Sequence, residues 1–280
     1  MSASLLVLIG VAAAGATGPK PFHVFGEADR WIITDDDGAV VERLESFGGM
    51  RTVHAAITAD GAEIVFTSRN DAAQNDLLYL WDRGARPPRL LGSKMGFHAN
   101  PSFTRDEEWV VFAHHPRKGG PPGQHEPGAN AQVYRVRRDG TRLEALTNTP
   151  GCKVSPVSPD GFALFFIHST CDLMDGVSFA TAGGAETRLG QIDAKYKALQ
   201  FSPDADQLAL VELRIDTFAV WILNRKTQIK RPLLEAPKRT LTPQLAWSQR
   251  GRHLLLYNGS VQAIAMNGAV RETATLEVTP

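Results

Sequence analysis

Three scarcities shape what this chain can be. It has two cysteines, Cys152 and Cys171, in 280 residues, which excludes a disulfide-dense scaffold and a cysteine-rich zinc fold. It has no excess charge of either sign: Lys+Arg and Asp+Glu total 30 each, for a formal net charge of +0. The electrostatic footprint of a nucleic-acid-binding protein is therefore missing, and no nucleic acid is expected as a partner. No apolar run reaches the ~20 residues of a membrane-spanning helix, so no transmembrane segment is expected. Yet 43% of the residues are hydrophobic and 21% charged, enough to bury a sizeable core.

The apolar run Leu5–Ala16 (LLVLIGVAAAGA) is halted by Pro19 and Lys20. It ends in Ala14-Gly15-Ala16, a small-x-small pattern before Thr17 that fits a secretory cleavage site, although the leading MSAS carries no Lys or Arg. Residues 1–16 are expected to be a signal peptide and 17–280 a single domain, periplasmic or extracellular. The other reading of the same run is a buried first β-strand.

One unit recurs five times: an apolar residue, a four-residue turn, then an apolar run. The turns are Thr58-Ala59-Asp60-Gly61, Thr104-Arg105-Asp106-Glu107, Ser158-Pro159-Asp160-Gly161, Ser202-Pro203-Asp204-Ala205 and Ser248-Gln249-Arg250-Gly251. Pro pre-sets φ, Asp bonds its own backbone and Gly accepts the left-handed conformation, so each turn predicts an antiparallel hairpin. The preceding residues Ile57, Phe103, Val157, Phe201 and Trp247 are followed nine positions on by Phe66, Phe112, Phe166, Leu210 and Leu256. A second hairpin recurs six times, beginning at Trp31, Leu78, Val133, Val177, Ala219 and Val261, and five of the six turns carry Gly, at Gly38, Gly84, Gly140, Gly184 and Gly268. Four strands per period of about 45 residues is the arithmetic of a propeller blade. The expectation is all-β: a six-bladed β-propeller of four-stranded antiparallel blades with little helix. Its first blade is incomplete or is completed by residues before Trp31.

The Ser-Pro-Asp-Gly turn after a Pro-containing strand, with its second hairpin, resembles the propeller repeats of the TolB family over about residues 22–278. The resemblance implies a propeller-only member, without the α/β domain that precedes the propeller in TolB. Related repeats occur in prolyl-peptidase propellers and oligogalacturonate lyases. No G-x-S-x-G nucleophile elbow accompanies them in this chain.

Residues eleven beyond each apolar anchor form a polar set, Ser68, His114, His168, Glu212 and Asn258. Those three before it are His54, Asn100, Val154, Ala198 and Gln244, with His98 close by. Converging imidazoles and a carboxylate suit a divalent metal, Zn²⁺ or Mn²⁺, or a general base. The competing reading is that strand ends facing a wet channel are polar in any propeller. His114 and His115 point to opposite faces of a strand, so at most one faces the channel. Residues 116–130, rich in Gly and Pro, read as a lid, a partner-binding arm or a plain surface loop. Asp35-Asp36-Asp37-Gly38 lacks calcium-loop spacing and reads as a hairpin turn. The five tryptophans read as core.

Cys152 precedes the first strand of its repeat and Cys171 follows the second, at the open end of one hairpin. In an oxidising compartment they are expected to form a disulfide; the alternatives are two separate thiols or metal ligands with His168. Three functions follow: a monomeric propeller that binds a protein or a cell-envelope polymer, a metal-assisted lyase or hydrolase, or a purely structural module.

Overall fold

The computed structural model describes residues 21–27, 30–45, 50–70, 75–84, 87–92, 96–115, 131–149, 152–157, 163–169, 174–181, 186–190, 196–238, 243–248 and 251–274. All regular structure among them is β. The strands form successive antiparallel sheets, each built from neighbours in sequence.

The first sheet has three strands, β1 (Phe22–Glu27), β2 (Arg30–Asp35) and β3 (Val40–Glu45). The second comprises β4 (Arg51–Ile57), β5 (Glu63–Asn70), β6 (Asn75–Asp82) and β7 (Arg89–Leu90). The third comprises β8 (Phe97–Phe103), β9 (Trp109–His115), β10 (Gln132–Arg137) and β11 (Glu144–Ala145). A single parallel bridge, Asp76 to Phe97, joins these two four-stranded groups. Then follow β12 (Cys152–Val157), β13 (Ala163–Ser169), β14 (Met174–Thr181) and β15 (Thr187–Gly190). The next sheet is β16 (Tyr196–Phe201), β17 (Gln207–Leu213), β18 (Thr217–Asn224) and β19 (Lys230–Pro237). The last is β20 (Gln244–Trp247), β21 (His253–Tyr257), β22 (Val261–Ala265) and β23 (Val270–Ala274).

The recurring turn owes its form to its first and third residues. The Thr58 hydroxyl donates to Asp60 (2.7 Å) and accepts from the Glu63 amide (3.0 Å), while Gly61 N–H closes on the Thr58 carbonyl (2.9 Å). Thr104 with Asp106 and Ser202 with Asp204 repeat this arrangement. Ser248 keeps the hydroxyl part, accepting from the His253 amide. All four hydroxyl residues are buried. The fourth position takes a positive φ in each, at Gly61 (74°), Glu107 (56°), Ala205 (56°) and Gly251 (62°). The Ser158 copy lies outside the described residues.

Core clusters lie between sheets. Trp31, Ile33, Ile64 and Phe66 join the first and second; Val65, Leu78, Leu80, Val110 and Phe112 join the second and third. Val211, Phe218, Val220, Trp247, Leu254 and Leu256 join the last two. Phe25 and Ile32 of the first sheet pack with Leu255, Tyr257 and Val261 of the last, so the order of sheets returns on itself by packing. Among the described residues no helix is long and apolar enough to cross a membrane.

Candidate functional site on the loop face

The four-residue turns mark one face of the molecule; the loops from second to third strands and from each sheet to the next mark the other. On this loop face β8 begins where β9 ends, and the strand register sets His98 opposite His114. Their rings lie 4.7 Å apart between centroids, with Phe112 5.4 Å from His98 and Tyr134 5.1 Å from His114.

His98 is 1% exposed, and its Nδ1 lies 2.7 Å from the Asp76 carbonyl oxygen. A carbonyl only accepts, so Nδ1 carries the hydrogen and Nε2 holds the lone pair of the neutral ring. That Nε2 is buried without a hydrogen-bond partner. Burial pushes the imidazole below its ordinary range, opposed by the Asp76 carbonyl and the Asp76 charge. Asp76 itself is buried and is held by Arg69 at 3.0 Å.

His54 sits in β4 just past a register shift at Thr52, its amide donating to the Thr67 hydroxyl at 3.2 Å. Burial pushes its imidazole down to about 4, with the Asp76 charge opposing. Its Nδ1 is also buried without a hydrogen-bond partner. Register shifts recur at this level in β8, β12 and β16. Within that of β8, Asn100 adopts φ 49°, a left-handed conformation that asparagine tolerates better than most residues.

The other expected site residues are distributed differently. Glu212 is turned onto its own sheet, accepting from Trp221 Nε1 at 2.9 Å and from Arg214 at 3.4 Å. Asn258 is buried after β21, with its amide 3.5 Å from the Pro237 carbonyl. Ser68 is buried at the end of β5. The His168 backbone pairs with Lys153 and Gly176, and its side chain lies outside the described residues. Cys152 pairs in register with Ser169; Cys171 and the 116–130 insertion lie outside the described residues. Among the described residues, no three His, Cys, Asp or Glu side chains are grouped so as to hold a metal ion.

Two groups escaped sequence reasoning. Asp76 precedes its second hairpin by two residues, an offset that Asp29 and Asp175 repeat before Trp31 and Val177 and that could have signalled it. Lys153 stands between Cys152 and Val154, a pattern that reads as the solvent side of a strand, yet it is buried completely. Its ammonium donates to the Thr149 carbonyl at 2.7 Å and lies 3.7 Å from Glu186.

No protein-family model and no curated protein matches this chain. Solved structures do. TolB from Acinetobacter baumannii is 19% identical with a TM-score of 0.65, over 90% of this chain and 62% of that one; this chain thus spans 62% of TolB's length. A chain in the crystal structure of a nidogen–laminin complex is 12% identical with a TM-score of 0.65, over 90% of this chain and 92% of that one. An oligogalacturonate lyase in complex with manganese is 13% identical with a TM-score of 0.57, over 89% and 72%. The fold is a TolB-like β-propeller.

Proposed function

We propose that the chain is a six-bladed propeller that serves as a binding module for a protein or a cell-envelope polymer, engaged across the loop face. The observation behind this is how the loop-face polar groups are used. Glu212 is committed to Trp221 and Arg214 of its own sheet, which builds a rigid platform rather than a set of convergent reactive groups. The likeness to TolB and to a chain of the nidogen–laminin assembly over nine-tenths of this chain supports a propeller scaffold. As an export signal, Leu5–Ala16 places the domain in the periplasm or outside the cell, where Cys152 and Cys171 pair. A photo-cross-linking residue tests the binding face. Ile215, 90% exposed on the β17–β18 loop, should cross-link in intact cells to one discrete species, and Ile229, 64% exposed beyond β18 on the opposite face, should not. Equal labelling from both faces, or from neither, refutes the assignment.

A second reading, a metal-assisted lyase or hydrolase, draws on the buried His54 Nδ1 and His98 Nε2, which have no hydrogen-bond partner, and on the manganese-bound lyase likeness. Neutral imidazole is the form that binds Zn²⁺ or Mn²⁺. Metal content of the purified protein before and after chelation distinguishes the two readings.

A further inference from the structure

β1, β2 and β3 correspond to the second, third and fourth strands of the later sheets. The β2–β3 turn fixes the correspondence. Asp35 N–H donates to the Ala39 carbonyl (2.9 Å) and Gly38 N–H to the Asp35 carbonyl (3.0 Å), as Arg137 N–H does to Thr141 and Gly140 N–H to Arg137 in the β10–β11 turn, and as Ala265 and Gly268 do in β22–β23. Direction agrees. β1 starts on the turn face, where the Phe22 ring abuts Gly61, and ends on the loop face at Gly26, beside Gln244 at the start of β20.

The inner edge of β1 therefore pairs with no described strand. Gly26 turns both of its backbone groups away from β2, its N–H donating to Gln244 Oε1 at 3.1 Å and its carbonyl accepting from Gln244 Nε2. In an antiparallel ladder this orientation alternates along the strand, so Val24 and Phe22 present their backbone groups on the same edge. A primary amide carries the donor and the acceptor of one peptide unit. Gln244 thus holds the loop-face end of an open edge in the way one residue of an added strand would.

We propose that this edge takes an extended segment of a protein partner, which enters from the loop face, displaces the Gln244 amide from Gly26 and pairs with Gly26, Val24 and Phe22. The inference rests on the exported binding-module reading and narrows its partner to a protein. A peptide backbone repeats donors and acceptors at the spacing of the edge, and a sugar chain does not. Cleavage after Ala16 also leaves the N-terminus too short to supply the strand. Arg51 precedes Glu63 by 12 residues and Gln244 precedes His253 by 9, the longest and shortest intervals from a first strand to its second, whereas Thr17 precedes Phe22 by 5. The first strands of the other sheets carry Ala55, Ala56, Ala99, Ala198 and Ala246. A segment in the equivalent place carries small residues likewise, and no proline where it pairs.

The test uses the full chain produced in a host with an export apparatus, with amide hydrogen exchange as the readout. The probe is an acetylated, amidated heptapeptide of alternating alanine and serine. At about ten times its Kd it should slow exchange at Val24 about tenfold, and the same peptide N-methylated at every residue should leave Val24 unchanged. Val24→Pro, which removes a donor from the edge and none from the β1–β2 ladder, should abolish binding. If that variant does not fold, the two peptides on the wild-type chain decide alone. A Val24 amide that exchanges as slowly as those of β5 in the protein by itself overturns the proposal, because the edge is then already filled. So does equal slowing by both peptides, slowing by neither, or undiminished binding to Val24→Pro. An intact mass beginning before Thr17 refutes the export reading beneath the inference, whereas a protected Val24 in a chain beginning at Thr17 refutes the inference alone. Cross-linking from Ile215 reads the loop-face assignment separately.

Discussion

Gln244 and Gly26, 218 residues apart, exchange two hydrogen bonds through one side-chain amide and one backbone unit. They join the last sheet to the first at the loop face, where Phe25 also stacks on Tyr257 with centroids 5.7 Å apart. A side chain satisfying both groups of one residue marks an edge with no described strand beside it. Gln244→Leu should lose about 1–2 kcal/mol, because two backbone groups lose their partner. Urea titrations of wild type and Gln244→Leu measure the loss directly, and an unchanged midpoint would show that the Gly26 groups find other partners.

Gly61 and Gly251 occupy the same turn position, with φ of 74° and 62°, and they differ in surroundings. A Cβ on Gly61 would lie 2.6 Å from Phe22 Cδ2, whereas one on Gly251 would meet nothing within 4 Å. Gly251→Ala should therefore cost only the left-handed backbone term, about 1 kcal/mol. Gly61→Ala should cost about 2–4 kcal/mol, because the ring that anchors the start of β1 must also move. Denaturation midpoints of the two variants check the ordering; parity would mean that Phe22 yields freely.

The turns were the most legible part of the molecule, because each is a local device. A hydroxyl, a carboxylate and a left-handed residue within four positions build the same hairpin wherever they occur. Sheet boundaries followed from that repeat. The candidate site was less legible because its offsets specify backbone positions, whereas side-chain direction depends on which partners a sheet offers. Glu212 and His114 share an offset of eleven from their anchors, yet one meets an indole N–H and a guanidinium and the other meets His98 and Tyr134. Asp76 acts on both His54 and His98; Asp29 and Asp175 share its place two residues before a second hairpin, but that offset does not say which side chains the carboxylate faces.

Acid should loosen the second sheet through His54. Burial lowers its folded pKa to about 4 from an ordinary 6.5, so the unfolded chain binds the proton first. This contribution is fully present above pH 6.5 and is lost as pH falls toward 4, a difference of up to about 3 kcal/mol. His98 adds in the same direction. His54→Gln should flatten the dependence of the melting temperature between pH 6.5 and 4. An unaltered slope would assign the acid sensitivity to other groups.

Lys153 gives the last prediction. It reaches from β12 to the Thr149 carbonyl beyond β11, which also accepts from Gln132 Nε2 at 2.8 Å, while Gln132 Oε1 accepts from the Thr147 hydroxyl at 2.8 Å. A chain of polar contacts thus ties the third sheet to the fourth, with a fully buried ammonium at its end. Lys153→Ala leaves a cavity and strips Glu186 of its cation, at a cost of about 3–5 kcal/mol. Lys153→Met keeps the volume and should cost less. Burial lowers the lysine pKa from its ordinary 10.5, so the unfolded state takes the proton more readily. Wild type should therefore gain stability relative to Lys153→Met as pH rises toward 10.5 and lose that margin as pH falls back through the folded value. Melting temperatures of both proteins from pH 7 to 10 measure it. Parallel curves would show that the ammonium is compensated in full by its neighbours.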